Sequence, residues 1–186
     1  MADLFKLHDI NGVPEASRAT LEIVQKNFGF IPNLMRIFAK SPVALQSYLA
    51  VSSIFENSDF TPAERQIILL AISIENQCEY CVAVHSTIAK NSVKVDGGLL
   101  EQLRNARALS DPKLEALARF TRLVVQKRGF VGDGALKTFF EVGYSERHVL
   151  EVIVAIGLKT ISNYTNHFAH TPLDPQFQPE TWKPSK

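Results

Sequence analysis

Residues 75–90 read Glu-Asn-Gln-Cys-Glu-Tyr-Cys-Val-Ala-Val-His-Ser-Thr-Ile-Ala-Lys and hold both cysteines of the chain, Cys78 and Cys81, with His85 four residues after the second. Asn76 and Glu79 stand as N-cap and third helical residue, so the pattern predicts a helix from Gln77. On a helix, side chains three and four apart are neighbours, about 5–6 Å between Cβ atoms, which puts Cys78, Cys81 and His85 in one row. Cα atoms about 5–6 Å apart suit disulfide geometry. A helix start also offers free N–H groups and partial positive charge, which favour thiolate over thiol. His85 is in range to take a proton from Cys81 or return it. The stretch outlines a redox site.

The chain around it has 186 residues, enough for one substantial core, with 46% apolar and 21% charged residues, as in ordinary globular proteins. A net charge of +1 and the lack of a basic stripe with interleaved aromatics exclude nucleic acid as a partner. Met1-Ala2-Asp3-Leu4-Phe5-Lys6 shows no leader pattern, and the most apolar stretch, Ile67 to Ile74, is far short of the ~20 residues that span a bilayer. A cytoplasmic protein without a membrane partner is expected. In that reducing compartment a cysteine pair points to catalysis or metal binding rather than to a structural staple.

Three-to-four apolar spacing and helix-start signals recur along the whole chain, and no strand pattern does. Ser41-Pro42 and Thr61-Pro62-Ala63-Glu64 open helices, the second with a full capping box. The helix at 62–75 is apolar all round and reads as buried. Further helices are predicted at 15–28, 33–39, 98–107, 111–128, 135–142 and from 145 to His167. The tail from Pro172, with four prolines in 15 residues, reads as an irregular arm. The fold class is all-α, a single domain over 1–186 with its core at about 10–170. A shift of 85 residues lays the helix at 62–75 over 147–160, Cys78 and Cys81 over Asn163 and Asn166, and His85 over His170, which suggests two degenerate helical hairpins. Phe139-Phe140 and the all-apolar helices exceed what a monomer comfortably hides, which predicts a homo-oligomer.

Cys78-Glu79-Tyr80-Cys81-Val82-Ala83-Val84-His85, preceded by Thr61-Pro62-Ala63-Glu64-Arg65 and an apolar helix, resembles the core motif of the AhpD-like family of the carboxymuconolactone decarboxylase superfamily. Gly29-Phe30-Ile31-Pro32-Asn33 and Asn163-Tyr164-Thr165-Asn166-His167 resemble the flanks of its peroxidase-related members. The resemblance implies a helical bundle that reduces alkyl hydroperoxides without a cofactor. By this analogy Cys81 attacks the peroxide, Cys78 resolves it by forming the disulfide, and His85 relays the proton. It also implies a trimer or hexamer and a thiol or lipoyl-bearing reductant. The family's relay Glu is replaced by Gln66, so another carboxylate is expected to serve: Glu151, the repeat counterpart of Gln66, with Glu64 behind it.

The residues themselves leave other readings open. Cys78, Cys81 and His85 could bind zinc with a fourth ligand from His167, His170 or another subunit, although one helix then supplies three ligands. Two inert buried thiols in a helical oligomerisation module are a third reading. Decarboxylase or lactone-ring chemistry, found elsewhere in the superfamily, has no need of the cysteine pair. A thiolate that attacks an O–O bond gives a sulfenic acid, and a neighbouring thiol condenses with it; this spacing fits that chemistry best.

Overall fold

The computed structural model describes residues 5–184; residues 1–4, on which part of the leader reading falls, and 185–186 lie outside the described residues. Nine α-helices, and no strand, form among them. They are α1 (Glu15–Phe28), α2 (Asn33–Phe38), α3 (Pro42–Phe55), α4 (Pro62–Glu75), α5 (Glu79–Ile88), α6 (Gly97–Arg104), α7 (Pro112–Lys127), α8 (Asp133–Glu141) and α9 (Glu146–Ala169). None is long and apolar enough to cross a membrane.

The bundle is built round α4. Its start is fixed by the capping box read from the sequence: Thr61 Oγ1 accepts from the Glu64 N–H at 3.2 Å, and Glu64 Oε2 accepts from the Thr61 N–H at 2.9 Å. Pro62 presets the first turn. Ile67, Ile68, Leu70 and Ile72 are buried on every side, because α5, α7 and α9 all pack against this helix. Thr61→Ala removes the cap and is expected to cost about 1–2 kcal/mol, read as a lower urea midpoint with an unchanged m-value.

Where α4 ends, the chain reverses in a turn the sequence does not announce. Gln77 takes a left-handed φ of 55°. The Gln77 N–H bonds to the Ile74 carbonyl and the Cys78 N–H to the Ser73 carbonyl, both at 2.9 Å. This pairing is a Schellman ending, usually built with glycine. It makes Cys78 the N-cap of α5 rather than a residue of a helix begun at Gln77, and sets Cys81 at the third helical position.

The shift of 85 residues pairs this broken unit with α9, which is one uninterrupted helix; positions 161–163, the counterparts of the turn, are ordinary helix. The second half therefore has no matching hairpin, and the likeness is that of two buried apolar faces. Phe139 is not surplus apolar surface either. It stacks between Phe120 and Tyr144, with ring centroids 4.2 and 4.5 Å away, and only Phe140 looks outward. The C-terminal arm is docked. Asp174 accepts from the Asn33 N–H at 3.1 Å and from the Tyr80 hydroxyl at 2.7 Å, and the 3-10 turn Pro175–Glu180 packs on α5.

Candidate functional site

Four helices converge on the two sulfurs. Cys78 and Cys81 come from the start of α5, Tyr48 from α3, Gln66 from α4, and Lys159, Ser162 and Asn166 from one face of α9. The cysteines are free thiols, 1% and 3% exposed. Asn166 Nδ2 donates to Cys81 Sγ at 3.2 Å and to Cys78 Sγ at 3.7 Å, and Ser162 Oγ lies 3.8 Å from Cys81 Sγ. Asn163 accepts from the Asn76 side chain at 3.0 Å.

The two thiols are unlike. Burial alone would push Cys81 up, but the hydrogen bond from Cys78 and the charge of Lys159 outweigh it and hold Cys81 well below the ordinary thiol range. Cys78 moves the other way, raised because its S–H is given to Cys81 and because it is buried. The two shifts bias the pair toward a Cys81 thiolate hydrogen-bonded by a Cys78 thiol. Burial, with both sulfurs close by, also raises the Tyr48 phenol, which stays protonated.

His85 does not face the sulfurs as the helical row predicts. Its Nδ1 lies 3.0 Å from Gln66 Oε1 and its Nε2 3.0 Å from Lys159 Nζ. Burial and the adjacent Lys159 charge hold the imidazole well below its usual range, so it is neutral. Gln66 therefore does contact His85, but as an amide. Neither substitute carboxylate joins it. Glu151 accepts from the Asp59 N–H at 2.9 Å and from Arg147 Nε at 3.0 Å, about 12 Å along α9 from Lys159. Glu64 is taken up by Thr61 and by the Tyr144 hydroxyl at 2.8 Å. Both carboxylates serve helix starts, and both nitrogens of His85 already have partners.

Two openings meet this cluster. A cavity of about 380 Å³ has apolar walls from Phe30, Leu49, Leu69, Leu158 and Phe177, and Tyr48, Gln66 and His85 also line it. A second depression of about 330 Å³ is lined by Cys78, Asn166, His167 and His170. Among the described residues no three His, Cys, Asp or Glu side chains are grouped to hold a metal ion. His85 is turned toward nitrogen and amide partners, which removes it from the expected ligand set.

Residues 46–123 match the model of the carboxymuconolactone decarboxylase family, a segment that contains α4, both cysteines and His85. The fold matches an uncharacterized peroxidase-related protein with an alkylhydroperoxidase AhpD core from Ralstonia eutropha JMP134, TM-score 0.83, at 21% identity over 93% of each chain. The matched segment sits on an AhpD-like helical fold. An uncharacterized peroxidase-related protein from Silicibacter sp. TM1040 matches with TM-score 0.80 at 18% identity over 95% of this chain and 93% of that one. The debrominase Bmp8, solved as a variant in complex with 2,3,4-tribromopyrrole, matches with TM-score 0.78 at 15% identity over 97% and 96%. No curated protein matches in sequence. At these identities the three structures share their fold with this chain.

Sequence reasoning missed Lys159. Lysine is almost never buried unless paired, and this one stands in the apolar face of α9 at 1% exposure. A trace of it is legible: from Val152 to His167 it is the only residue of the charged types Asp, Glu, Lys or Arg.

Proposed function

We propose that this protein is a thiol-dependent reductase of organic hydroperoxides. One observation carries the reading: a buried Cys81 thiolate, fed by Asn166 and Lys159, lies in hydrogen-bond contact with a protonated Cys78. Cys81 attacks the terminal peroxide oxygen, the O–O bond breaks, and an alcohol leaves. Cys78 then displaces hydroxide from the Cys81 sulfenic acid, giving a disulfide and water before over-oxidation sets in. The apolar cavity on the far side of His85 suits an alkyl or aryl substituent better than hydrogen peroxide. Thiol reductants, a lipoyl dithiol among them, regenerate the pair, and the reducing cytoplasm is the compartment that suits such a cycle.

The same cavity favours one second reading. A dithiol can deliver its two electrons to a carbon–halogen bond as well as to an O–O bond, and a bromopyrrole is bound by the structurally similar debrominase. Decarboxylation and lactone chemistry make no use of the thiolate pair. Self-association is proposed through α9, whose outer face exposes Leu150, Ile153, Tyr164 and Phe168, the last at 74%.

The test treats reduced protein with one equivalent of cumene hydroperoxide, hydrogen peroxide or a bromopyrrole, followed by peptide mass spectrometry. Expected is a Cys78–Cys81 disulfide, formed fastest with cumene hydroperoxide. Disulfide formation with the bromopyrrole alone would move the activity to dehalogenation, and none with any oxidant would end the reductase reading.

A further inference from the structure

The row Gln66–His85–Lys159 has its proton positions dictated by valence. An ammonium carries three donors and no acceptor. His85 Nε2, 3.0 Å from Lys159 Nζ, must therefore present a lone pair. The ring proton is then on Nδ1, and Gln66, 3.0 Å from it, must turn its carbonyl oxygen to receive it. A carboxylate at position 66 would add a negative charge and draw a second proton onto the ring. The amide does not, so the row keeps one net positive charge. Lys159 is 1% exposed, and a charge so buried needs an anion. Cys81, held against the same face of α9 by Ser162 at 3.8 Å and Asn166 at 3.2 Å, is the sulfur that feels this charge.

We propose that Lys159 is the acid of the reaction: its ammonium pairs with the Cys81 sulfur and gives its proton to the departing oxygen, while His85, locked by Gln66, only holds and aims it. This rests on the hydroperoxide reading above and gives His85 a positioning role instead of the proton relay. Of the other titratable groups, Cys78 of α5 feels the Lys159 charge, Tyr48 of α3 faces the two sulfurs, and Tyr80 of α5 is tied to Asp174. α4 contributes the neutral Gln66, and the α9 side chains at the sulfurs, Ser162 and Asn166, are neutral too.

In the first step the Cys81 thiolate bonds to the terminal oxygen of R–O–OH, the O–O bond breaks, and the alkoxide takes a proton from Lys159. The products are Cys81–S–OH, the alcohol and a neutral Lys159 amine. In the second, Cys78–SH and Cys81–S–OH give the disulfide and water, the Cys78 proton leaving with the hydroxide. Lys159 regains its proton from water.

The test begins with iodoacetamide alkylation of Cys81 followed against pH, which needs no peroxide. In the native protein the rate stays high well below the ordinary thiol pKa of about 8.5. Lys159→Met should move the midpoint up toward or past that value and lower cumene hydroperoxide turnover roughly 10²-fold or more. Lys159→Arg should keep the low midpoint yet lose turnover, because guanidinium holds its proton. His85→Gln, which still offers an acceptor, should keep the low midpoint. An unmoved midpoint in Lys159→Met, or an equal shift in His85→Gln, overturns the proposal. Should the lysine variants fail to fold, nitrogen NMR of the native protein decides: Nδ1-protonated, neutral His85 at pH 7 supports the assignment, and an Nε2–H tautomer or an imidazolium sinks it. A native protein that forms no disulfide with hydroperoxide ends the reductase reading instead, and leaves these alkylation and NMR results standing.

Discussion

Cys81→Ser should lower hydroperoxide turnover by roughly 10³-fold or more, since a hydroxyl at that position stays protonated where the thiol does not. Cys78→Ser should fail differently. Its Cys81 is still buried beside Lys159 and Asn166, so one equivalent of peroxide is consumed at a rate within about tenfold of native. The sulfenic acid then has no neighbouring thiol and is trapped by dimedone or climbs to the sulfinic acid. The serine hydroxyl replaces the S–H donated to Cys81, which preserves part of the thiolate's stabilisation. Stopped-flow single turnovers with mass spectrometry separate the two variants. A burst in Cys81→Ser with none in Cys78→Ser would exchange the roles of the two sulfurs.

The largest loss of stability is expected at Phe139→Ala. The ring is 1% exposed and stacked on both faces, by Phe120 and Tyr144. Truncation leaves a cavity that α7 and α8 cannot close without moving, at a cost of about 3–5 kcal/mol. For a chain of this size that lowers Tm by roughly 6–20 °C. Phe140→Ala, half-exposed one position on, is the control and should cost less than about 1 kcal/mol. Guanidinium melts monitored by circular dichroism distinguish them. Similar losses at the two positions would mean that Phe140 is covered in solution by another copy.

The architecture was readable because the helical periodicity recurs along the chain and several helices carry their own start signal. Thr61 and Ser41 both cap the helices assigned to them. The turn at 76–78 was not readable, because its left-handed residue is Gln77 and not a glycine. That single residue moved the helix start and put Cys78 at the cap. Cys78, Cys81 and His85 were found by spacing along one helix, a local property. Their partners are not local: Lys159 and Asn166 reach the sulfurs and His85 across gaps of 74 to 88 residues. His85 has no acidic neighbour for a physical reason: an amide and a lysine already bracket its ring. Glu151 and Glu64 were already engaged in local structure.

In the proposed cycle the buried Lys159 also sets the direction in which the couple prefers to run. Oxidation turns Cys81 into half of a neutral disulfide and strips the cation of its counter-ion in the least solvated part of the bundle. The bridged form must then carry an unmatched charge or shed a proton, and either is unfavourable. A dithiol state favoured in this way makes the disulfide a ready electron acceptor. Small thiols should therefore reopen it with little driving force of their own, and the bridged protein should melt below the dithiol form, the reverse of what a cross-link ordinarily does.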